Sequence, residues 1–268
     1  WTYRGEPTPY GWPDVTSHFG ILDMAGFWKD IAYWYQAWFA RPSPPVLHVF
    51  PHWNWSPATC RGACRKVNGS LFVDVWAYSN SEEVELHLPT GESLGRRRMA
   101  NYSHVEWPSV PYLPGRLSAV AFIGGSQVAK TFVDTTGGPV ALRLSFQSNV
   151  GNSGITSGSG DAALVVAEVV DSAGRVVPTA ADLVTFAAPE LTILGTSNGD
   201  PACLTPDTSP TREAFHGLVM AVLRADHGTA HGVHFVEASA PGLVGACLAL
   251  LVHSPVGAED EEIGPHAV

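Results

Sequence analysis

Glu6 stands in the run Glu6-Pro7-Thr8-Pro9-Tyr10-Gly11-Trp12-Pro13, a carboxylate among prolines, a glycine and two aromatic rings, with Trp1 shortly before it. Proline fixes φ and glycine admits conformations that other residues resist, so this run is a rigid loop rather than a helix or a strand. The N–H groups of such a loop need acceptors, and a carboxylate is the strongest one at hand. Glu6 is therefore read first as ordering the loop and second as a direct ligand contact. Tyr10 and Trp12 read equally well as the wall of a pocket or as packing against a neighbouring loop.

Other residues invite chemistry and receive simpler readings. His48, His52, Trp53 and Trp55 in "VLHVFPHWNW" could suggest a metal or a carbohydrate surface, but aromatics so close together at a junction between elements are better read as packing. Cys60 and Cys64 flank a basic, glycine-containing stretch with no second cluster to complete a zinc site, so metal binding is a weak reading there. Cys247, in "GACLALLV", is expected to be a small buried hydrophobe. In "SNGDP", Asn198 and Asp200 could face a cation, though a turn closed by side-chain to backbone bonds is the preferred account. The sequons at Asn54, Asn68 and Asn101 would matter only in a secreted eukaryotic protein. No cofactor is called for.

The elements that would position these residues follow from hydrophobic period. Over Ala25–Phe39 the residues Phe27, Ile31, Trp34, Tyr35 and Trp38 recur at helical spacing opposite Lys29, Asp30 and Gln36, and "RPSPP" ends the pattern. Beyond it the period shortens to two. Strands are expected at 71–78, 83–88, 117–123 and 128–133, then from Val140, Ala163, Leu183, Leu191, Gly217 and Gly232. In the second of these Val84, Leu86 and Leu88 share one face, and Glu83, Glu85 and His87 the other. "QSNVGNSGITSGSGD" is expected to be a loop, Asp171–Arg175 a turn around Gly174, and Arg96–Arg98 a solvated turn.

Many short strands with turn chemistry between them predict a mainly β chain, two immunoglobulin-like sandwiches in tandem dividing near Gly137 and Gly138. The 268 residues carry a formal net charge of −10 with few clustered basic side chains, which argues against a nucleic-acid partner. The longest apolar run, Gly242–Val252, is too short to cross a bilayer, so a soluble piece without a membrane partner is expected.

The order GEPTPYGWP, then "SHFGILDMAGFWKD", "YWYQAWF" and "VLHVFPHWNW", resembles the downstream half of family 2 glycoside hydrolases of the β-galactosidase type. "VWAYSNSEEVELHL" with "GESLGRR", and "VVDSAGRVVPTAADLVTF" with "LGTSNGDP", extend the resemblance over nearly the whole chain. It implies four parts: residues 1–45 as the last loop and helix of an incomplete TIM barrel, 46–137 and 138–254 as the sandwiches, and 255–268 as an acidic tail. It also implies a retaining glycosidase whose two catalytic glutamates lie upstream, so no residue here is expected to be catalytic. Trp1, Glu6, Tyr10 and Trp12 become candidates for one wall of a sugar pocket. Trp1 matches the family's stacking aromatic only across a gap, since "WTYRGEP" is three residues shorter than the family's W-T-G-x-D-Y-x-G-E-P; that aromatic is either Trp1 or lies upstream.

The implied partners are a terminal β-galactoside or related glycan, the upstream barrel and, through the sandwiches, a second copy. A β-glucuronidase or β-mannosidase fits the same residues. A different class is a non-catalytic glycan-binding or structural module with Trp53, Trp55, Trp76 and Trp107 as stacking platforms. A barrel needs eight strands. The helix is therefore expected either to fold back on the first sandwich or to leave an aromatic patch exposed.

Overall fold

Strict alternation along β3 (Ser70–Ser79) turns Val73, Val75 and Ala77 to the interior and Phe72, Asp74, Trp76 and Tyr78 to the opposite face. The computed structural model describes residues 10–39, 44–147 and 154–254. The chain divides into two compact units, the first ending at Gly137 and the second starting at Gly138. Of the expected parts, 255–268 lies wholly outside the described residues, and 1–45 does so at residues 1–9 and 40–43.

In the first unit β1 (Leu47–Phe50) and β2 (Cys64–Val67) share one edge of β3, and β6 (Val105–Pro111) takes the other. The second sheet runs β5 (Ser93–Arg98), β4 (Glu83–His87), β7 (Arg116–Ile123), β8 (Ser126–Asp134), all antiparallel. Two-residue turns fix the register of two hairpins: Asn68-Gly69 joins β2 to β3 and Gly124-Gly125 joins β7 to β8, all four with positive φ. Trp53, Val84, Leu86 and Leu117 fill the interior with no exposed surface. The Trp53 indole donates to the Leu113 carbonyl at 2.9 Å, so the one polar atom of the largest core side chain is satisfied.

The second unit packs a five-stranded sheet against a four-stranded one. The first has the order β10 (Gly154–Thr156), β17 (Ala246–His253), β16 (Gly232–Ser239), β12 (Leu183–Ala187), β14 (Thr211–Glu213); the second has β13 (Thr192–Ser197), β15 (Leu218–Arg224), β11 (Ala163–Val170), β9 (Ala141–Phe146). The chain is thus mainly β, in sandwich-like sheets.

Several local expectations need correction. Arg96–Arg98 form edge strand β5, not a turn: Arg96 reaches Glu83 and Glu85 across the ladder and lies over the Phe122 ring, so the charges serve an exposed sheet edge. Gly154–Thr156, inside the expected loop, pairs in parallel with β17. Cys247 is exposed, because the period-two pattern of β17 turns Leu250 and Val252 inward and Cys247 outward. Cys60 and Cys64 are joined as a disulfide. Asn54, one of the sequon asparagines, is tied on both side-chain atoms to Thr136.

The helix α1 (Asp30–Phe39) starts five residues later than its hydrophobic period suggests. The Asp23 carboxylate accepts from the N–H groups of Ala25 and Phe27, and Gly26 takes positive φ, so 23–29 forms a closed turn that competes with helix. The helix packs on β1 and β3 through Ala37 and Trp38, while Tyr35, placed by spacing on the inner face, is exposed. Both outcomes foreseen for this helix occur together: it folds back on the first sandwich and still leaves aromatic rings in solvent.

Candidate functional site

The segment that carries the candidate site residues, Tyr10–Phe39, is built from local bonds on one end of the first unit. Asp14 N–H donates to the Gly11 carbonyl at 3.3 Å, and the Asp14 carboxylate meets His18 at 3.3 Å. The Tyr10 ring lies 4.7 Å from that of His18. A bridge between Leu22 and Trp28 closes the turn around Asp23, and Lys29 Nζ donates to the carbonyls of His18 and Phe19 at 2.8 and 2.9 Å. Burial pushes the Asp23 carboxyl up from its ordinary value against the N–H bonds of Phe27 and Ala25 and the charge of Lys29, which pull it down. Burial likewise lowers Lys29, opposed by Asp23.

Of the four candidates for a pocket wall, Trp1 and Glu6 lie outside the described residues. Tyr10 and Trp12 stand together on this segment, and Trp12 is 78% exposed. Downstream, Tyr33 stacks on His48 at 3.8 Å between ring centres, and His48 Nε2 lies 2.7 Å from Asp30 Oδ1. Burial and, second, the nearby Asp30 charge raise the phenols of Tyr33 and Tyr78. His48 therefore joins helix to sheet. No group of three metal-ligating side chains occurs among the described residues.

The stacking platforms imagined for a glycan-binding module behave differently from one another. Trp53 and Trp107 are core residues at 0% and 2% exposure, with no face to offer a sugar. Trp55 stacks on His52 at 4.6 Å, and Trp76 donates to Glu106 at 3.0 Å. Asn198 and Asp200 form the turn: Asn198 Nδ2 donates to the Glu213 carbonyl, and their side-chain oxygens accept from the N–H groups of Asp200 and Ala202.

Two polar clusters were missed by sequence reasoning, since their members lie far apart in the chain. Arg65 makes a bidentate bond to Asp74 and also reaches Ser109 Oγ, while Asp74 Oδ1 accepts from Ser109 N–H. The Arg65 bond, followed by that of Ser109, holds the Asp74 carboxyl below the usual range. In the second unit Arg212, almost fully buried, donates to Thr196 Oγ1, Cys203 Sγ and the Pro206 carbonyl and so pins the long connection from β13 to β14. Among the described residues the buried carboxylate is Asp171, whose oxygens accept from the Arg175 guanidinium and from the N–H groups of Ala173 and Arg175.

The described residues thus present two sandwich-like units, an aromatic segment before β1, and carboxylates engaged in structural bonds. The comparisons with known proteins agree with the resemblance read from the motifs. Residues 147–248 match the family described as glycoside hydrolase family 2 C-terminal domain 5, and residues 72–129 match a domain of unknown function, DUF4982. The chain is 37% identical over 232 residues to "Beta-galactosidase BoGH2A" of Bacteroides ovatus, covering 84% of this chain and 25% of that protein. It is 33% identical over 211 residues to a "Putative beta-glucuronidase" of Formosa agariphila, covering 77% of this chain and 19% of that protein. A solved β-glycosidase from Bacteroides vulgatus superposes with a TM-score of 0.76 at 25% identity, over 90% of this chain and 29% of that one. The chain belongs to glycoside hydrolase family 2 and corresponds to its C-terminal portion. It spans a quarter or less of the length of these curated relatives.

Proposed function

We propose that this chain is the C-terminal portion of a retaining exo-glycosidase of the β-galactosidase type, acting on terminal β-galactosides. The observation that carries this reading is the 37% identity along 84% of the chain to a protein named a β-galactosidase. The strand orders β5-β4-β7-β8 and β13-β15-β11-β9, each facing a second antiparallel or mixed sheet, support immunoglobulin-like sandwiches for both units. The aromatic segment before β1 supports the barrel-remnant reading of residues 1–45.

A retaining glycosidase sets two carboxyls about 5 to 5.5 Å apart, one to protonate the leaving oxygen and one to attack the anomeric carbon. On this reading both come from the upstream barrel. The chain contributes Tyr10 and Trp12, with Trp1 and Glu6 before them, as one wall of the sugar pocket; the apolar C–H face of a pyranose packs on such rings while a carboxylate accepts from its hydroxyls. The sandwiches brace the barrel or build a homo-oligomer.

The test compares this chain with a longer polypeptide that adds the upstream region, on chromogenic β-galactoside and β-glucuronide. Turnover is expected only from the longer polypeptide, with the galactoside favoured in kcat/KM by at least about a hundredfold, since a site built for one set of polar groups rejects another strongly. Enzyme-like hydrolysis by this chain alone overturns the proposal. Faster glucuronide turnover moves it to the second reading, which the 33% identity to a putative β-glucuronidase favours.

A further inference from the structure

From Tyr10 to Gly20 the described chain holds neither helix nor strand, yet Tyr10, Trp12 and Phe19 are all exposed on it. Rings on an irregular segment have no hydrogen-bond ladder to fix them, and such a segment opens locally at little cost unless something anchors it.

Lys29 supplies an anchor. Its own N–H donates to the Ile21 carbonyl at 3.1 Å, and Asp23 N–H donates to the Phe27 carbonyl at 2.9 Å, so the closed turn sets where the Lys29 stem leaves the chain. From there Nζ reaches back eleven and ten residues to the carbonyls of His18 and Phe19, at 2.8 and 2.9 Å. Bonds from an ammonium are charge-assisted and stronger than those between neutral groups. Together they hold two successive peptide groups of the irregular segment.

That hold passes to the rings through His18. Its ring centre lies 4.7 Å from that of Tyr10, and its Nε2 lies 3.3 Å from the Asp14 carboxylate. Asp14 N–H in turn closes on the Gly11 carbonyl, in a turn that has Trp12 as its second residue. A shift of the backbone at His18 would therefore move both Tyr10 and Trp12.

We propose that Lys29 is a positioning residue of the glycosidase: by holding the backbone at His18 and Phe19 it sets where Tyr10 and Trp12 meet the sugar. This rests on the reading of those two rings as one wall of the pocket. A pyranose face packs on an aromatic wall before and during bond cleavage alike, so misplacing the wall weakens ground state and transition state together and appears in KM rather than in kcat. A residue that serves only the stability of its unit has no such signature.

The variant Lys29→Met keeps most of the stem and removes the donors. In this chain, amide exchange read by mass spectrometry is expected to rise at least about tenfold over 10–20 and to stay unchanged in β3 and β7. No rise over 10–20 overturns the proposal. So does an equal rise in the core strands, which would make Lys29 a general stability residue.

In the longer polypeptide that adds the upstream region, KM for the chromogenic glycoside is expected to rise about tenfold with kcat within about twofold of the parent. In a Tyr10→Ala, Trp12→Ala background the same substitution is expected to leave KM where the two alanines put it, because the rings through which Lys29 acts are gone. An equal rise in both backgrounds overturns the proposal, as does no rise in the first. Faster turnover of glucuronide than of galactoside overturns the substrate reading alone, the Lys29 comparison then being read on the glucuronide. A KM unmoved by loss of both rings overturns the pocket wall, and the part given to Lys29 with it.

Discussion

Asp74 and Asp23 show how two aspartates of one unit take opposite pH roles. Asp74 is held down in pKa first by the Arg65 bond and then by Ser109 N–H. A depressed carboxyl adds stability above its unfolded value and loses it as pH falls through the folded value. Asp23 is pushed up by burial, so its contribution is greatest below its unfolded value and is lost as pH rises through the folded one. Urea unfolding across pH is expected to find Asp74→Asn less stable than the parent at pH 7, with the difference closing in acid below about pH 4, where the parent carboxyl also protonates. A constant offset at every pH would assign the loss to shape rather than charge. The pair is exposed on the Arg65 side, which keeps the effect modest.

Strands with two-residue turns and alternating side chains are self-specifying, whereas long connections need an anchor. Arg212 is that anchor between β13 and β14, with its guanidinium bonded to Thr196, Cys203 and the Pro206 carbonyl. Its removal leaves buried acceptors unmatched, so Arg212→Ala is expected to cost about 2–4 kcal/mol in denaturant unfolding, with faster amide exchange over 198–211. Unchanged exchange there would show that the connection holds itself. The strands missed in the sequence are informative for the same reason. β5 carries Ser93, Gly95 and three arginines with little apolar signal, and β6 carries Pro108 and Pro111; both are kept in place by neighbours, β4 and β3, that do alternate cleanly. The helix was legible by period but started late, because a side-chain bond from Asp23 closes a turn that the period does not encode.

Each of the two units has its own apolar interior, one around Trp53, Leu86 and Leu117 and the other around Val165, Phe186 and Leu223. Polypeptides ending at Gly137 or beginning at Gly138 are therefore expected to give dispersed amide spectra separately. Collapse of either spectrum would mean that one interior depends on the other unit. Trp53→Ala and Trp107→Ala are expected to lower stability by about 3–5 kcal/mol and to leave no glycan affinity to lose, since both rings are buried. A folded Trp53→Ala protein that has lost an affinity for glycan would instead revive the reading of these tryptophans as sugar platforms.

The sequence by itself determined the β character of the chain, most strand positions and the turn at Gly174, because these depend on residue type and short-range period. Its motifs also carried the family, since an ordered set of loops and strands is legible without coordinates. The tertiary structure alone decided which rings are core and which are surface, putting Trp53 and Trp107 inside and Tyr35, Phe39 and Tyr102 outside. It alone brought Arg65 to Ser109 and Arg212 to Thr196, and turned Cys247 outward. Burial and long-range pairing depend on which faces of separate elements meet, and spacing along one strand or helix holds no record of its neighbour.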